Sequence, residues 1–442
     1  MKIYKALIGL GVAGALCSPL PAKAGDSTVK LSLSKAVSIA RQNNYTVKAA
    51  RSRVDQAEGR VVQTRQSFLP KVTLSETLLI TNDPAAALVF KLQQQSLQNS
   101  DFEASRMTHP DVINDFNTSL QVMQPLFNAD ASTGKTMAVR AKKGQEFLAE
   151  RTEEAIGLQV SKVYYGLILA RKNIEAVEHS IETMQGYSSE AAKGYRAGLL
   201  TKSDKLSTDV RLAELQEQKL MLRDAVKNAT DMLRVMLNLD SGVTVVPTGD
   251  LDVDGAVSGG EETTSLVNRS DLKAFETFAQ VAGYQEEMIR QSRLPRLNAF
   301  LQTNLHSNNI FGGGASWALG LNMQWNIFDG DATAGRILEA KAQQREAMYS
   351  YEAAKSNSLA EVAQARRSLK TARERIDVAS KSLEAAKVSL EYIGKKYKTG
   401  MAMTFELLMR EQAFIYAKMR VNQAMYDYCV SKKELEYYKG GL

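Results

Sequence analysis

Residues able to carry chemistry are sparse in this chain and wrongly spaced for it. His109, His179 and His306 fall in three separate segments, and none has a second ligand at metal-site spacing. No Gly-x-Ser-x-Gly elbow and no phosphate-binding glycine loop occurs. Gly312-Gly313-Gly314 separates two alternating segments, where a strand hairpin uses glycine. These residues give no reason to expect an enzyme, a cofactor or a metal. Two acids do stand out by position. Asp204 and Glu406 each follow a glycine, Gly198 or Gly400, by six residues and open a helical segment. A carboxylate there gains about 0.3–1 kcal/mol from the helix dipole. Thr201-Lys202-Ser203-Asp204 reads as a capping box. Met403 stands where Thr201 does, so Glu406 is expected to lack an equivalent cap.

The elements that position these acids are written twice. Residues 116–238 recur at 317–440. Tyr195-Arg196-Ala197-Gly198 corresponds to Tyr397-Lys398-Thr399-Gly400, Gln124-Pro125-Leu126-Phe127 to Trp325-Asn326-Ile327-Phe328, and Ser67-Phe68-Leu69-Pro70 to Arg293-Leu294-Pro295. Each copy reads helix, two strands, very long helix, glycine turn, return helix. We expect residues 25–264 to form the first structural repeat, with an equatorial linker at its end, and 265–442 the second.

The long helices carry heptads. Val362, Leu369, Ile376, Leu383, Leu390 and Tyr397 recur every seven residues, with Ala365, Ala372, Ala379, Ala386 and Ile393 three positions after the first five. The first copy keeps the frame with Val160, Leu167, Ile174, Ile181, Ser188 and Tyr195, partnered by Val163, Ala170, Val177, Met184 and Ala191. This is coiled-coil packing, and the alanines predict close helix approach. Each helix, from about Asp130 to Arg196 or Asp331 to Lys398, would be about 100 Å long. Shorter return helices follow each glycine turn. Segments 31–68 and 266–293 are expected to be helices stacking end to end with them.

Between these helices lie segments with period two. Trp317, Leu319, Leu321, Met323, Trp325 and Ile327 form one face, and Ser316, Ala318, Gly320, Asn322, Gln324 and Asn326 the other. Segments 116–126 and 297–306 alternate likewise, and 72–80 does so less cleanly. One face apolar and one small and polar, over about 9–11 residues, is the pattern of a transmembrane strand. The two tryptophans would lie about 26 Å apart along one strand at roughly 3.3 Å per residue, near the spacing of the aromatic girdles of a membrane barrel. A half-buried sandwich strand alternates too, but apart from a short run at 243–246 no further strand-rich region supplies a second sheet. Four strands cannot close a barrel, since about eight are needed. An open sheet would leave edges that no bilayer tolerates. The barrel must therefore be shared between subunits.

Composition agrees with export. Lys2 and Lys5 precede an apolar run, Ala6 to Leu16, and Ala22-Lys23-Ala24 is a cleavage site, so residues 1–24 read as a signal peptide. Cys17 raises a lipoprotein reading, but Leu16 stands where such sites take Gly, Ala or Ser. The mature chain would keep one cysteine, Cys429, expected to be buried and inert. The net charge of +7, less Lys2, Lys5 and Lys23, becomes +4 and is interspersed along helices, leaving no footprint for nucleic acid.

Together the signal peptide, tandem repeat, paired strands and Tyr-x-x-Gly turns resemble the TolC-like outer-membrane factor family over essentially the whole mature chain. The resemblance implies a mainly α fold with a transmembrane β-barrel portion, built as a homotrimer. Its twelve-stranded barrel would sit in outer-membrane lipid, continuous with a twelve-helix periplasmic α-barrel. It implies an exit duct of a tripartite efflux pump or type I secretion system, docking through a periplasmic adaptor onto an inner-membrane transporter. The adaptor-docking contacts would be Tyr195, Arg196, Gly198 and Leu199 with Tyr397, Gly400 and Met401, against the plainer reading of helix capping. Glu406 matches an acidic position whose three copies ring the tunnel mouth. Asp204 lies near that mouth too, with capping its favoured role. Two departures appear: residues 81–114 form a long insertion expected to be an outer loop, and Ala402 stands where family members often carry an arginine that ties the periplasmic end. From another class, a periplasmic or surface coiled-coil spacer without a pore would also use the heptads. It would give no detergent-resistant, heat-modifiable oligomer on a gel.

Overall fold

The computed structural model describes residues 27–253 and 268–441. The signal segment 1–24 and the repeat boundary at 264/265 lie outside the described residues. The elements run β1 (Ser27–Leu31), α1 (Leu33–Asn43), α2 (Tyr45–Gln63), β2 (Lys71–Thr81), α3 (Pro84–Gln93), α4 (Ala104–Thr108), β3 (Ile113–Phe127), α5 (Ala129–Arg196) and α6 (Lys202–Leu237). After these come β4 (Val243–Pro247), α7 (Ser270–Gln291), β5 (Arg296–Ser307), β6 (Gly314–Gln324), α8 (Ala332–Lys398) and α9 (Thr404–Lys439). At 68 and 67 residues, α5 and α8 span about 100 Å each.

The heptads lie where packing demands them. Val160, Leu167, Val177, Ile181 and Met184 on α5 are buried, as are Val362, Ala365, Leu369, Ala372, Ile376 and Ala379 on α8. Near mid-rod Val160, Leu167, Val362, Ala365, Leu369, Ala372 and Ile376 join Ala36, Ala40, Val47, Leu233, Leu237, Ala424 and Tyr428 in one core. A parallel pair of short strands, β1 with β4, is laid over it. Tyr164 locks the pair: its hydroxyl donates to Leu31 O at 2.9 Å and accepts from Gly249 N at 3.1 Å. Cys429 is buried in this core, its thiol pushed up to about 11 by burial, so it is inert.

Two expectations about helices and strands need correction. Segment 31–68 is not one helix: it breaks at the buried Asn44, which caps α2 by accepting from Thr46 N at 2.8 Å and donates to Met236 O at 2.9 Å. That cap ties the break to the end of α6, a long-range partner that periodicity does not register. In addition, β6 ends at Gln324, so Trp325 and Ile327 lie beyond the strand. Trp325 instead donates from Nε1 to Arg293 O at 3.0 Å, joining the strand exit to the end of the α7 segment.

The sheet is antiparallel in the order β2-β3-β5-β6. The register places Val72, Leu74 and Leu78 opposite Val122, Leu120 and Phe116, and Leu301, Leu305 and Thr303 opposite Leu319, Ala315 and Trp317. Cross-strand partners share a face, so these residues make one continuous apolar surface, and Asn117, Gln121, Gln302, Asn304 and Asn322 line the reverse. One acid, Glu76, interrupts the apolar face, with the Thr118 hydroxyl donating to it. Both outer strands, β2 and β6, keep an edge that pairs with no other strand described here.

Candidate functional site

The end of the rod away from the sheet is built by two helix turns. Gly198 (φ 73°) and Gly400 (φ 74°) occupy left-handed backbone, which glycine adopts without strain. The next residue folds back onto its helix: Leu199 N donates to Gly194 O at 2.8 Å and Met401 N to Lys396 O at 2.8 Å. This directs the following side chains outward. Leu199 is 81% exposed and Met401 69%. Arg196 is exposed, its Nε bonded back to Ala192 O at 3.3 Å.

The two tyrosines of the turns part company. Tyr195 is 44% exposed, whereas Tyr397 is 7% exposed and packs edge-on against Tyr187 of α5 at 6.0 Å between centroids. Tyr397 therefore does not present its ring to the outside, contrary to its place among the expected docking contacts. Gly394 is the reason. A Cβ there would lie 2.2 Å from the Tyr187 hydroxyl, so the missing side chain admits Tyr187 against α8. Sequence reasoning also missed Met403 and Phe405, both exposed beside Met401. The run Met401-Ala402-Met403-Thr404-Phe405 could have shown them.

The acids behave unequally. Asp204 closes a full capping box: its N–H donates to Thr201 Oγ1 at 3.1 Å and Thr201 N donates to its Oδ2 at 3.1 Å. The Thr201 hydroxyl and N–H, with Thr404 beside it, hold the Asp204 carboxyl below the usual range. Glu406 is exposed but not uncapped, since its Oε2 accepts from Met403 N at 3.3 Å. It makes the carboxylate half of the box, and Met403, lacking a hydroxyl, cannot return the bond. Ala402 is half-buried and offers no polar group for a tie.

Polar pairs do join α6 to α9 just behind these turns. Asp204 stands beside Thr404; seven residues on, Arg211 Nε donates to Glu411 Oε2 at 2.7 Å; seven further, Gln218 Nε2 meets Met419 Sδ at 3.4 Å. Leu215 and Ile415 are buried between the second and third pairs. The sequence holds the signal for this seam in the heptad spacing 204, 211, 218.

At the other end, residues 81–114 fold over the sheet rather than trailing from it. Gln94 Nε2 donates to Asp115 Oδ1 and Asn114 O, both at 2.9 Å, and Asp115 Oδ2 meets His306 Nδ1 at 2.8 Å. Gly314 lies so close that a Cβ would fall 2.2 Å from Gln93 O. Trp317 stands exposed on the apolar face. Among the described residues no three His, Cys, Asp or Glu groups gather as a metal site, and no helix is long and apolar enough to cross a membrane.

A rod of long coiled helices, continuous with a sheet apolar on one face, defines a membrane-channel subunit with a helical extension. Comparison with known proteins agrees with that class. The profile of the outer membrane efflux protein family matches residues 36–239 and again 263–441. This chain belongs to that family; it is an outer-membrane protein with a periplasmic helical extension, not an enzyme. Among curated relatives it is 22% identical over 335 residues to the alkaline protease secretion protein AprF of Pseudomonas aeruginosa, covering 74% of this chain and 69% of that protein. It is 18% identical over 346 residues to the outer membrane protein TolC of Salmonella enteritidis, covering 74% and 70%. Among solved structures, the CmeC outer membrane channel of Campylobacter jejuni superposes with TM-score 0.79 over 92% of this chain and 85% of that one, at 19% identity. VceC of Vibrio cholerae does so with TM-score 0.74 over 92% and 96%, at 16% identity.

Proposed function

We propose that three copies of this chain form a passive exit duct, serving a tripartite efflux pump or a type I secretion system. The observation that carries this reading is the four-stranded sheet with two open edges and an apolar face. Such a sheet is stable in a bilayer only when copies close it into a barrel. Three copies give twelve strands, and the exposed Leu220, Met221, Val235, Leu338 and Met348 along the rod would be covered in the same assembly. The name of AprF favours secretion, while the family name favours efflux; deleting the chain and measuring both secreted protein and drug sensitivity separates them. A detergent-resistant oligomer that forms ion-conducting channels in planar bilayers is expected. A monomer in the soluble periplasmic fraction would instead leave the coiled-coil spacer.

The exposed turn residues Leu199 and Met401, with Tyr195, Arg196 and the backbone at Gly198 and Gly400, are proposed to dock an adaptor, which in turn meets an inner-membrane transporter. Replacing both Leu199 and Met401 by Ser should abolish export while the oligomer persists. Unchanged export removes these side chains from docking. The exposed Glu406 is proposed to contribute to a carboxylate ring at the mouth, raising cation selectivity. Glu406→Gln should lower that selectivity in bilayer recordings, and an unaltered reversal potential would leave Glu406 with its helix-terminal role alone.

A further inference from the structure

The insertion between β2 and β3 carries a helix, α3, that is apolar on two opposite sides, and the sheet register shows which face of the wall it covers. We propose that α3 lies inside the mouth of the barrel. Its exposed stripe, Ala85, Val89 and Leu92, packs there against the same stripe of two further copies and closes the duct at the end away from the rod. The inference rests on the duct reading above and names the surface of this chain that seals it.

First, α3 sits on the polar face of the sheet. Along β3, Asp115 shares its side with Asn117, Ser119 and Gln121, and the register sets His306 opposite Asn117 and Gly314 opposite His306. The insertion meets the wall at these residues. Gln94 Nε2 donates to Asp115 Oδ1 at 2.9 Å, His306 Nδ1 braces Asp115 Oδ2 at 2.8 Å, and the bare Cα of Gly314 admits Gln93 O. With the apolar face turned to lipid, the polar face, and α3 on it, belongs to the lumen. Secondly, one copy covers only one side of α3. Ala87 is buried, and Gln94 reaches the wall from the same side. Ala85, Val89 and Leu92, spaced by four and then three residues, form the opposite side and are exposed. A helix apolar all round belongs in a core rather than in water. Around a threefold axis, the surface that meets this stripe is the same stripe of the other copies. Thirdly, the dimensions agree. Twelve strands about 4.8 Å apart and tilted by about 40° make a barrel roughly 24 Å across between backbones. A helix with its side chains is about 10–12 Å in diameter, so one laid along each third of the wall leaves no more than a few ångström at the axis. The ten residues of α3 span about 15 Å, close to the width of one copy's four strands, and α3 packs on β3, β5 and β6.

Purified full-length oligomers carrying Leu92→Cys are oxidised with copper phenanthroline in air and run on a gel without reductant. A disulfide-linked pair of subunits is expected, released again by dithiothreitol. Ile80→Cys, on the lipid face of the same wall, is the control and should give none. An oligomer that conducts yet cross-links no more through Leu92→Cys than through Ile80→Cys overturns the proposal. Val89→Asp combined with Leu92→Asp sets like charges around the axis, and single-channel conductance in planar bilayers should rise several-fold. Conductance equal to the parent, with the oligomer intact, overturns closure by this stripe. A preparation in which neither parent nor variants conduct overturns the duct reading itself.

Discussion

Helices α5, α6, α8 and α9 run through both the middle of the rod and its periplasmic third, yet the two regions are held together differently. At mid-rod, α1, α5, α6, α8 and α9 share one apolar core, sealed by β1 and β4. A charged node lies beside it: Arg269 bonds Asp271 through two nitrogens, at 2.7 and 3.0 Å, and Glu361 at 2.7 Å. Arg151 bonds Glu154 at 2.8 Å and stacks 3.5 Å from the Tyr437 ring. Near the tip the buried set shrinks to Val177, Ile181, Met184, Leu215, Ile415 and a few neighbours, and polar pairs take the place of core. The middle of the rod thus rests on apolar burial, and the tip on fewer apolar groups with polar pairs between them.

That contrast can be broken at mid-rod first. Arg269→Ala removes the buried cation shared by Asp271 and Glu361, leaving Asp271 only Arg151 at 3.7 Å, and losing one side of a buried pair should cost about 3–5 kcal/mol. Thermal unfolding followed by far-UV circular dichroism should show the drop. A value within error of the parent would make the node dispensable. Leu233→Ala, fully buried in the same core, should cost about 2–5 kcal/mol by the same measurement, depending on how far the site collapses.

Acid sharpens the comparison further. Burial works against the Asp271 charge, but bonds from Arg269 and the nearby Arg151 outweigh it and hold the carboxyl below its usual range. Its folded value is thus below the unfolded one of about 3.9, so its contribution is full above roughly pH 5 and fades as pH falls through the folded value. Asp271→Asn should be less stable than the parent at neutral pH, with the difference narrowing in acid. A constant difference at every pH would show that charge is not what this residue supplies.

The smallest effect is expected at the two turns. Thr201→Ala should cost about 1 kcal/mol by removing the hydroxyl half of the capping box, and Met403→Thr should recover a comparable amount by completing the second one. Equal stabilities would mean that the turns are held from outside the subunit.

Much of this was legible in the chain before any coordinates. Heptads at 160–195 and 362–397 gave the two long helices within a residue or two of their ends, because coiled-coil packing repeats locally and needs no knowledge of distant partners. Alternation gave the four strands, and the paired glycines gave the turns. The break at Asn44 was missed although its cap to Thr46 N is local; what was hidden is its bond to Met236, nearly two hundred residues away. So was the end of β6 before Trp325, which periodicity carried onward until a bond to Arg293 stopped it.

The sequence by itself determined the period of every element, the duplication, and the need for a shared barrel, all consequences of side-chain spacing and of what a bilayer excludes. Only the tertiary structure decided which of two equivalent tyrosines faces outward, because that depends on Gly394 opening a slot for Tyr187. It alone set Arg211 against Glu411, two hundred residues apart and each unremarked on its own helix face. A repeat makes its two copies alike in pattern, but their contacts are with each other and not with themselves, so the copies must differ where they meet.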